Sequence, residues 1–136
     1  FAVRYTLSRG PDVSPAPRAW LLTDHVPPAY AHQREQGISV TGVDSGLPSR
    51  FGRQAPWLLL GAKTLSYATN LAMMRVAEER GVDDALQFTH DGLVTEFPTA
   101  NIVIAHDDEL LTPDPEIGLL HGTTQQAIDA IMEGMN

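Results

Sequence analysis

The sequence predicts an α/β (α+β) protein that joins part of a small α/β domain to part of a larger domain of β-hairpins and helices. Three observations carry that expectation. Phe1, Val3, Tyr5 and Leu7 alternate with Ala2, Arg4, Thr6 and Ser8, the two-residue period of a half-buried strand. Between Thr64 and Arg80, Leu65, Ala68, Leu71, Ala72, Val76 and Ala77 recur at helical spacings, and Gly81 stands just beyond as a stop. Short apolar runs flank His90-Asp91-Gly92, where glycine supplies the positive φ of a tight hairpin turn.

In chain order, Arg9-Gly10-Pro11 ends the first strand, and Ala19-Trp20-Leu21-Leu22-Thr23 follows a Pro-rich turn as its antiparallel neighbour. His25-Val26-Pro27-Pro28 loses the period, and its prolines cannot donate to a ladder, so a domain connection falls there. The predicted boundaries are residues 1–26 for the end of the small domain, 27–37 for the connection and 38–136 for the first part of the large domain. Tyr30 to Gln36 reads as a short helix stopped by Gly37, and Ile38 to Val43 as a strand. Asp44 to Pro56, rich in Gly, Pro, Ser and Arg, reads as a loop long enough to be functional.

The helix from Thr64 follows, with Lys63 immediately before its first turn and Met73-Met74 as core packing. Ala85 to Thr89 and Leu93 to Thr95 make the first hairpin, so Glu96 ends a strand ahead of the irregular Phe97-Pro98-Thr99-Ala100. Ile102 to Ala105 and Glu109 to Leu111 pair across Asp107-Asp108 as a second hairpin. A Pro-rich loop from Pro113 to Gly118 leads to Gly122-Thr123-Thr124. There Ala127, Ile128, Ile131 and Met132 mark an amphipathic helix ending near Gly134.

Composition narrows the function classes. The 136 residues suit one ordinary folded domain, and a formal charge of −8 leaves no basic stripe for a nucleic-acid backbone. No cysteine is present, which excludes disulfides, thiolate metal sites and a cysteine nucleophile. No apolar run is long enough to cross a bilayer and no leader pattern opens the chain, so a cytoplasmic protein without a membrane partner is expected. His25, His32, His90, His106 and His121 show no metal spacing, and Ser45, Ser49 and Ser66 sit in no nucleophile elbow.

The residues that remain form an ordered set: Lys63, Glu96, then Gly122-Thr123-Thr124 at a helix start. Each alone has a plainer reading. Lys63 is a surface lysine near a helix whose dipole slightly disfavours it, Glu96 a solvated strand end, and the threonines helix caps. Together they are the three groups that hold pyridoxal phosphate. An amine meets its aldehyde, an anion its ring nitrogen, and a helix N-terminus its phosphate.

The motifs Lys63-Thr-Leu-Ser-Tyr-Ala-Thr-Asn70, Asp91-Gly92-Leu-Val-Thr-Glu96 with Asn101 five residues on, Leu111-Thr-Pro113 and Gly122-Thr-Thr-Gln125 closely resemble the class IV, fold type IV pyridoxal-phosphate enzymes. That family comprises branched-chain and D-amino-acid aminotransferases and 4-amino-4-deoxychorismate lyase. The resemblance covers most of the chain. It implies that Lys63 is the catalytic, cofactor-bonding lysine, Glu96 the partner of the pyridine nitrogen, and Tyr67 a neighbour of the cofactor's phenolic oxygen. Gly122, Thr123 and Thr124 would meet the phosphate, and Arg9, in the Ser8-Arg9-Gly10 turn, a substrate carboxylate.

The expected reaction is release of pyruvate and 4-aminobenzoate from 4-amino-4-deoxychorismate, a step of folate biosynthesis, because the motifs around Lys63 and Gly122 are most similar to members named as lyases. Transamination of D-amino or branched-chain amino acids is the alternative. The resemblance further implies a cytoplasmic homodimer acting on a small amino substrate. Family members extend beyond this sequence at both ends, so it is expected to be a fragment. A non-catalytic fragment that merely keeps the fold is the competing expectation, against which the joint presence of Lys63, Glu96 and Thr123 argues.

Overall fold

The computed structural model describes residues 1–13 and 16–134, with side chains to residue 131. Ser14 and Pro15 of the predicted Pro-rich turn, and the Met132 side chain of the predicted helical stripe, lie outside the described residues. The chain divides into two compact units, Phe1–Gly37 and Ile38–Asn136.

In the first unit, β1 (Ala2–Ser8) and β2 (Arg18–Asp24) pair antiparallel, with Ala2 opposite Asp24 and Ser8 opposite Arg18. This is the predicted pairing. The predicted half-burial is not found: Val3, Tyr5 and Leu7 are exposed, and Thr6 and Ser8 are the partly covered positions. A two-stranded ribbon has no second layer of its own to cover an apolar face. Helix α1 (Ala29–Gln36) contributes no buried residue, and it stops as expected where Gly37 takes φ 77° and returns its N–H to the Gln33 carbonyl at 2.9 Å.

The second unit opens with β3 (Val40–Asp44), which pairs in parallel with β4 (Asp84–Phe88), Val40 beside Asp84 and Asp44 beside Phe88. A parallel pair requires a long crossover, and helix α3 (Ala68–Glu79) supplies it. Met73 and Ala77 of α3 pack on the fully buried Ala85 of β4, with Val43 and Val82 at the edge. The buried face of α3 thus runs through Tyr67, Asn70, Met73 and Ala77, whereas Leu65, Leu71, Ala72 and Met74 are exposed. Asp83 ties the start of the pair by taking the Ser39 N–H at 2.7 Å and the Ser39 hydroxyl at 2.6 Å.

The helix begins at Ala68, four residues later than the sequence period suggested. The cause is local. Thr64 Oγ1 accepts the Ser66 N–H at 3.2 Å and Leu65 O accepts the Tyr67 N–H at 2.9 Å, contacts that offer the backbone an alternative to a helical turn. Lys63 therefore lies in irregular chain, not at a helix start, and the dipole argument for it falls away.

The predicted 44–56 loop contains a helical turn, α2 (Phe51–Gln54), and runs into a 3-10 turn at Pro56–Leu58. Its first half is fastened to the hairpin turn after β4. Asp91 accepts from the Ser49 N–H at 2.8 Å and from its hydroxyl at 2.6 Å, and His90 Nδ1 lies 2.9 Å from Asp44. These hydrogen bonds hold the Asp91 carboxyl well below the usual carboxylate range, so it stays ionised and the fastening persists into acid. The hairpin turn forms where predicted, but the expected strand from Leu93 to Thr95 is reduced to a single bridge between Phe88 and Val94. Thr89 N–H donates to Leu93 O at 2.8 Å, Thr95 N–H to Gln87 O at 2.9 Å and Gln87 N–H to Glu96 O at 3.0 Å, and Gly92 has φ 89°.

The second hairpin, β5 (Ile104–His106) with β6 (Glu109–Leu111), also forms as predicted, turning at Asp107 with φ 52°. A 3-10 turn at Pro115–Ile117 then leads to helix α4 (Thr123–Gly134). The predicted apolar stripe of α4 is not buried: Ala127, Ile128 and Ile131 are exposed, and the covered position is Gln125. Nothing else in the second unit packs over that stripe among the described residues.

Gly52 of α2 passes so close to residues 116–118 that an added Cβ would lie 2.6 Å from the Ile117 carbonyl carbon. Gly52→Ala in the intact protein should lower unfolding stability by about 1–3 kcal/mol, the usual cost of overpacking. Chemical denaturation checks this, and an unchanged midpoint would mean that the α2 junction is not close-packed.

Candidate active site

The segment that carries Lys63 is bent into place before it reaches the lysine. Leu59 ends the 3-10 turn in a left-handed conformation, φ 53°, and Gly61 follows at φ 79°. A Cβ on Gly61 would stand 2.7 Å from the Leu119 carbonyl oxygen, so glycine is what lets this strand of backbone pass beside residues 118–119. Gly118, at φ 98°, makes the matching approach to Leu60.

Lys63 then enters a cavity of about 420 Å³ shared with Tyr67, Asn70, Gln87, Glu96, Pro98 and Leu120. Leu58, Leu59 and Leu60 form its apolar side, and Ser45 and Leu47 its far wall. The Lys63 ammonium stands 5.3 Å from the Tyr67 ring centroid, within cation–π range. Tyr67 is itself fixed: its hydroxyl donates to the buried Pro98 carbonyl at 3.1 Å, and Asn70 Nδ2 donates to the same oxygen at 2.7 Å. The Phe97-Pro98-Thr99-Ala100 turn closes on itself through Phe97 N–H and Ala100 O at 2.8 Å.

Glu96 is half-buried at the end of the hairpin. One oxygen, Oε2, accepts both the Asn101 Nδ2 amide at 3.1 Å and the Leu120 N–H at 3.2 Å. Its other oxygen, Oε1, has no hydrogen-bond partner among the described residues. Burial raises the carboxyl above its ordinary value of 4.5, opposed by the Leu120 N–H and by the charge of Lys63. An amine and a half-buried carboxyl group thus face one cavity.

Beyond Leu120 the chain reaches Gly122, which is buried against the Asn101 side chain. The first intrahelical bond of α4, from Gln126 N–H to Gly122 O, is 3.1 Å. That puts Gly122 in the cap position and makes Thr123 and Thr124 the first two helical residues, not caps. Both threonines are exposed and neither lines the cavity with Lys63, but their N–H groups are among those a helix leaves unpaired at its start.

The structure thus brings Lys63, Tyr67 and Glu96 to one cavity and joins Gly122 to Glu96 through Asn101. Arg9 belongs to the first unit, where it pairs with Asp12 on an exposed turn shaped by Ser8 Oγ and the Gly10 N–H at 3.2 Å. Asn70, Pro98, Asn101 and Leu120 were not assigned a role from the sequence. Asn70 falls three residues after Tyr67 on the same helical face, a signal that was available. Among the described residues no group of three or more His, Asp or Glu is placed to hold a metal, and no helix is long and apolar enough to cross a membrane.

Residues 1–135 match the protein family described as Amino-transferase class IV. A bifunctional aminodeoxychorismate lyase / D-amino acid transaminase of Mycobacterium tuberculosis is 41% identical over 134 residues, covering 93% of this chain and 46% of that protein. A hypothetical aminotransferase from Mycobacterium tuberculosis, solved with alpha-ketoglutarate and PMP, superposes with a TM-score of 0.91 at 40% identity over 98% of this chain and 47% of that one. A fold IV-transaminase from Curtobacterium pusillum gives a TM-score of 0.84 at 36% identity, covering 98% of this chain and 44% of its own. The chain spans about half the length of these relatives.

A carboxyl raised by burial has a definite effect on stability. The folded state keeps this proton to higher pH than the unfolded chain, so the contribution of Glu96 to stability is fully present below 4.5 and is lost as pH rises through the folded value. Glu96→Gln, which can still accept from Asn101 and Leu120, should therefore melt higher than the parent at neutral pH when no ligand is added. The gap should close towards pH 4. Thermal melts across pH check this, and a variant less stable at pH 7 would show that the two donors outweigh burial.

Proposed function

The chain belongs to the class IV aminotransferase family, and from that premise we propose that the protein containing it is a pyridoxal-phosphate enzyme, acting as a 4-amino-4-deoxychorismate lyase. The observation that carries the proposal is the single cavity lined by Lys63 and by Glu96 with its unpaired Oε1. The donor set fits the cofactor. A primary amine, a carboxyl oxygen left without a partner and a twelve-residue helix opening on Thr123 and Thr124 match an aldehyde, a ring nitrogen and a phosphate. When bound, the cofactor supplies an electron sink for the bond broken at the substrate's α-carbon.

The chain's own residues do the rest. Lys63 Nζ would hold the cofactor's aldehyde and would serve as the base that takes and returns the substrate's α-proton. Glu96 Oε1 would accept the ring N–H as a carboxylate, the form that the Lys63 charge and the Leu120 N–H support against the effect of burial. Tyr67, its ring beside Lys63 and its hydroxyl donating to the Pro98 carbonyl, would be the neighbour of the cofactor's phenolic oxygen. The α4 start would receive the phosphate, and Arg9 is inferred from the family alone to meet a substrate carboxylate. A homodimer, a cytoplasmic setting and a place in folate biosynthesis are inferred from the family.

Two products distinguish the readings. The lyase yields pyruvate and 4-aminobenzoate and needs no second substrate. Transamination of D-amino or branched-chain acids is the second reading, supported by the relative that carries both activities in its name and by the one solved with alpha-ketoglutarate and PMP. The intact protein, given 4-amino-4-deoxychorismate alone, should form 4-aminobenzoate; amino-group exchange between D-alanine and 2-oxoglutarate without 4-aminobenzoate would favour the second reading. Neither product would overturn both.

Glu96→Gln should bind cofactor nearly as well but turn over about 10- to 100-fold more slowly, the worth of one charge-assisted hydrogen bond. Steady-state assay of the loaded variant checks this. Turnover close to the parent's would reduce Glu96 to a strand end.

A further inference from the structure

Glu96 cannot orient its own carboxylate. The last torsion of a glutamate side chain is broad and roughly two-fold, so which oxygen faces the cavity must be set by neighbours. Two neighbours act on Oε2. The Leu120 N–H is backbone, and the other donor is the Asn101 amide.

Asn101 is held in one orientation by three contacts. Its Nδ2 has two hydrogens, and both are used, one on Glu96 Oε2 at 3.1 Å and one on Leu120 O at 2.8 Å. Rotating the amide by half a turn would set Oδ1 against a carboxylate and a carbonyl, so the network fixes the assignment. On its far side Oδ1 lies where a Cβ on residue 122 would overlap it, and residue 122 is glycine. The chain around Glu96 and the chain from Leu120 to Gly122 meet at this one amide.

We propose that Asn101 is the positioning residue for Glu96, turning Oε1 towards the cavity and favouring the ionised carboxylate, and that Gly122 lacks a side chain in order to seat Asn101. The proposal rests on the reading of Glu96 as the partner of the cofactor's ring nitrogen. It assigns Gly122 a neighbour other than the phosphate. Removing the Asn101 donor takes away a hydrogen bond that only the charged form of Glu96 fully uses, so the proton should be held more tightly. Filling the space at Gly122 should push Asn101 off Oε2 and produce the same effect without touching Glu96.

The test is titration of the Glu96 carboxyl by carbon NMR in the intact protein, labelled at glutamate and free of cofactor. Asn101→Ser, too short to reach both acceptors, should raise the Glu96 midpoint by about one to two pH units. Gly122→Ala should move it in the same direction, and the double variant no further than the larger single shift, because both act through one contact. An unmoved Glu96 in Asn101→Ser overturns the proposal. Additive shifts, or a Gly122→Ala protein that loses affinity for pyridoxal phosphate with Glu96 unmoved, overturn the role given to Gly122. Should Asn101→Ser fail to fold, Gly122→Ala decides alone. Because the titration needs no cofactor, it stands whether or not Lys63 captures one, so failure of the cofactor reading shows separately.

Discussion

One carboxylate oxygen, Glu96 Oε2, organises the second unit. It joins the Asn101 amide, five residues on, to the Leu120 backbone, which lies 24 residues further along the chain than Glu96 itself. Each hydrogen bond to a charged acceptor contributes about 1.5–3 kcal/mol, enough to offset much of the cost of half-burying a carboxylate but not all of it, as the raised proton affinity of Glu96 shows. A glutamine there would be easier to bury and, on the proposed reading of Glu96, could not favour a protonated ring.

The same requirement governs the backbone. For residues 119–122 to reach Glu96, they must pass against the chain that carries Lys63, and that passage is made by Gly61 and Gly118, whose missing side chains allow contact at Leu119 and Leu60. The cavity is therefore the space left between two closely apposed loops and helix α3, and Lys63 enters it from irregular chain. Loop and helix residues place the chemistry, while the parallel β3–β4 pair and the small core of Met73, Ala77 and Ala85 hold the frame.

What could be read from the sequence was local. Both hairpins were legible because their turns announce themselves at Gly92 and at Asp107-Asp108, and α1 and α3 because Gly37 and Gly81 stop them. The start of α3 was misjudged because Leu65 fits the helical period while Thr64 and Ser66 divert the backbone, and periodicity does not register hydroxyl hydrogen bonds. The parallel partner of β3 was missed since pairing across forty residues leaves no trace in either strand. Burial was overestimated for β1 and α4, whose apolar faces are exposed within their units, because an amphipathic pattern states that a face is to be covered and not by what. Lys63, Glu96, Gly122 and the two threonines were legible as motifs. Asn101 stood inside one of those motifs, and only its contacts in space reveal what it does.

The central claim is that Lys63 and Glu96 grip opposite ends of one ligand. Lys63 is the only lysine in the sequence, so its modification in this stretch is unambiguous. The most direct measurement is borohydride reduction of the intact protein after mixing with pyridoxal phosphate, followed by mass mapping of the modified peptide. The account predicts one phosphopyridoxyl group per chain, on Lys63. A label confined to lysines outside this stretch, or none at all, would contradict it.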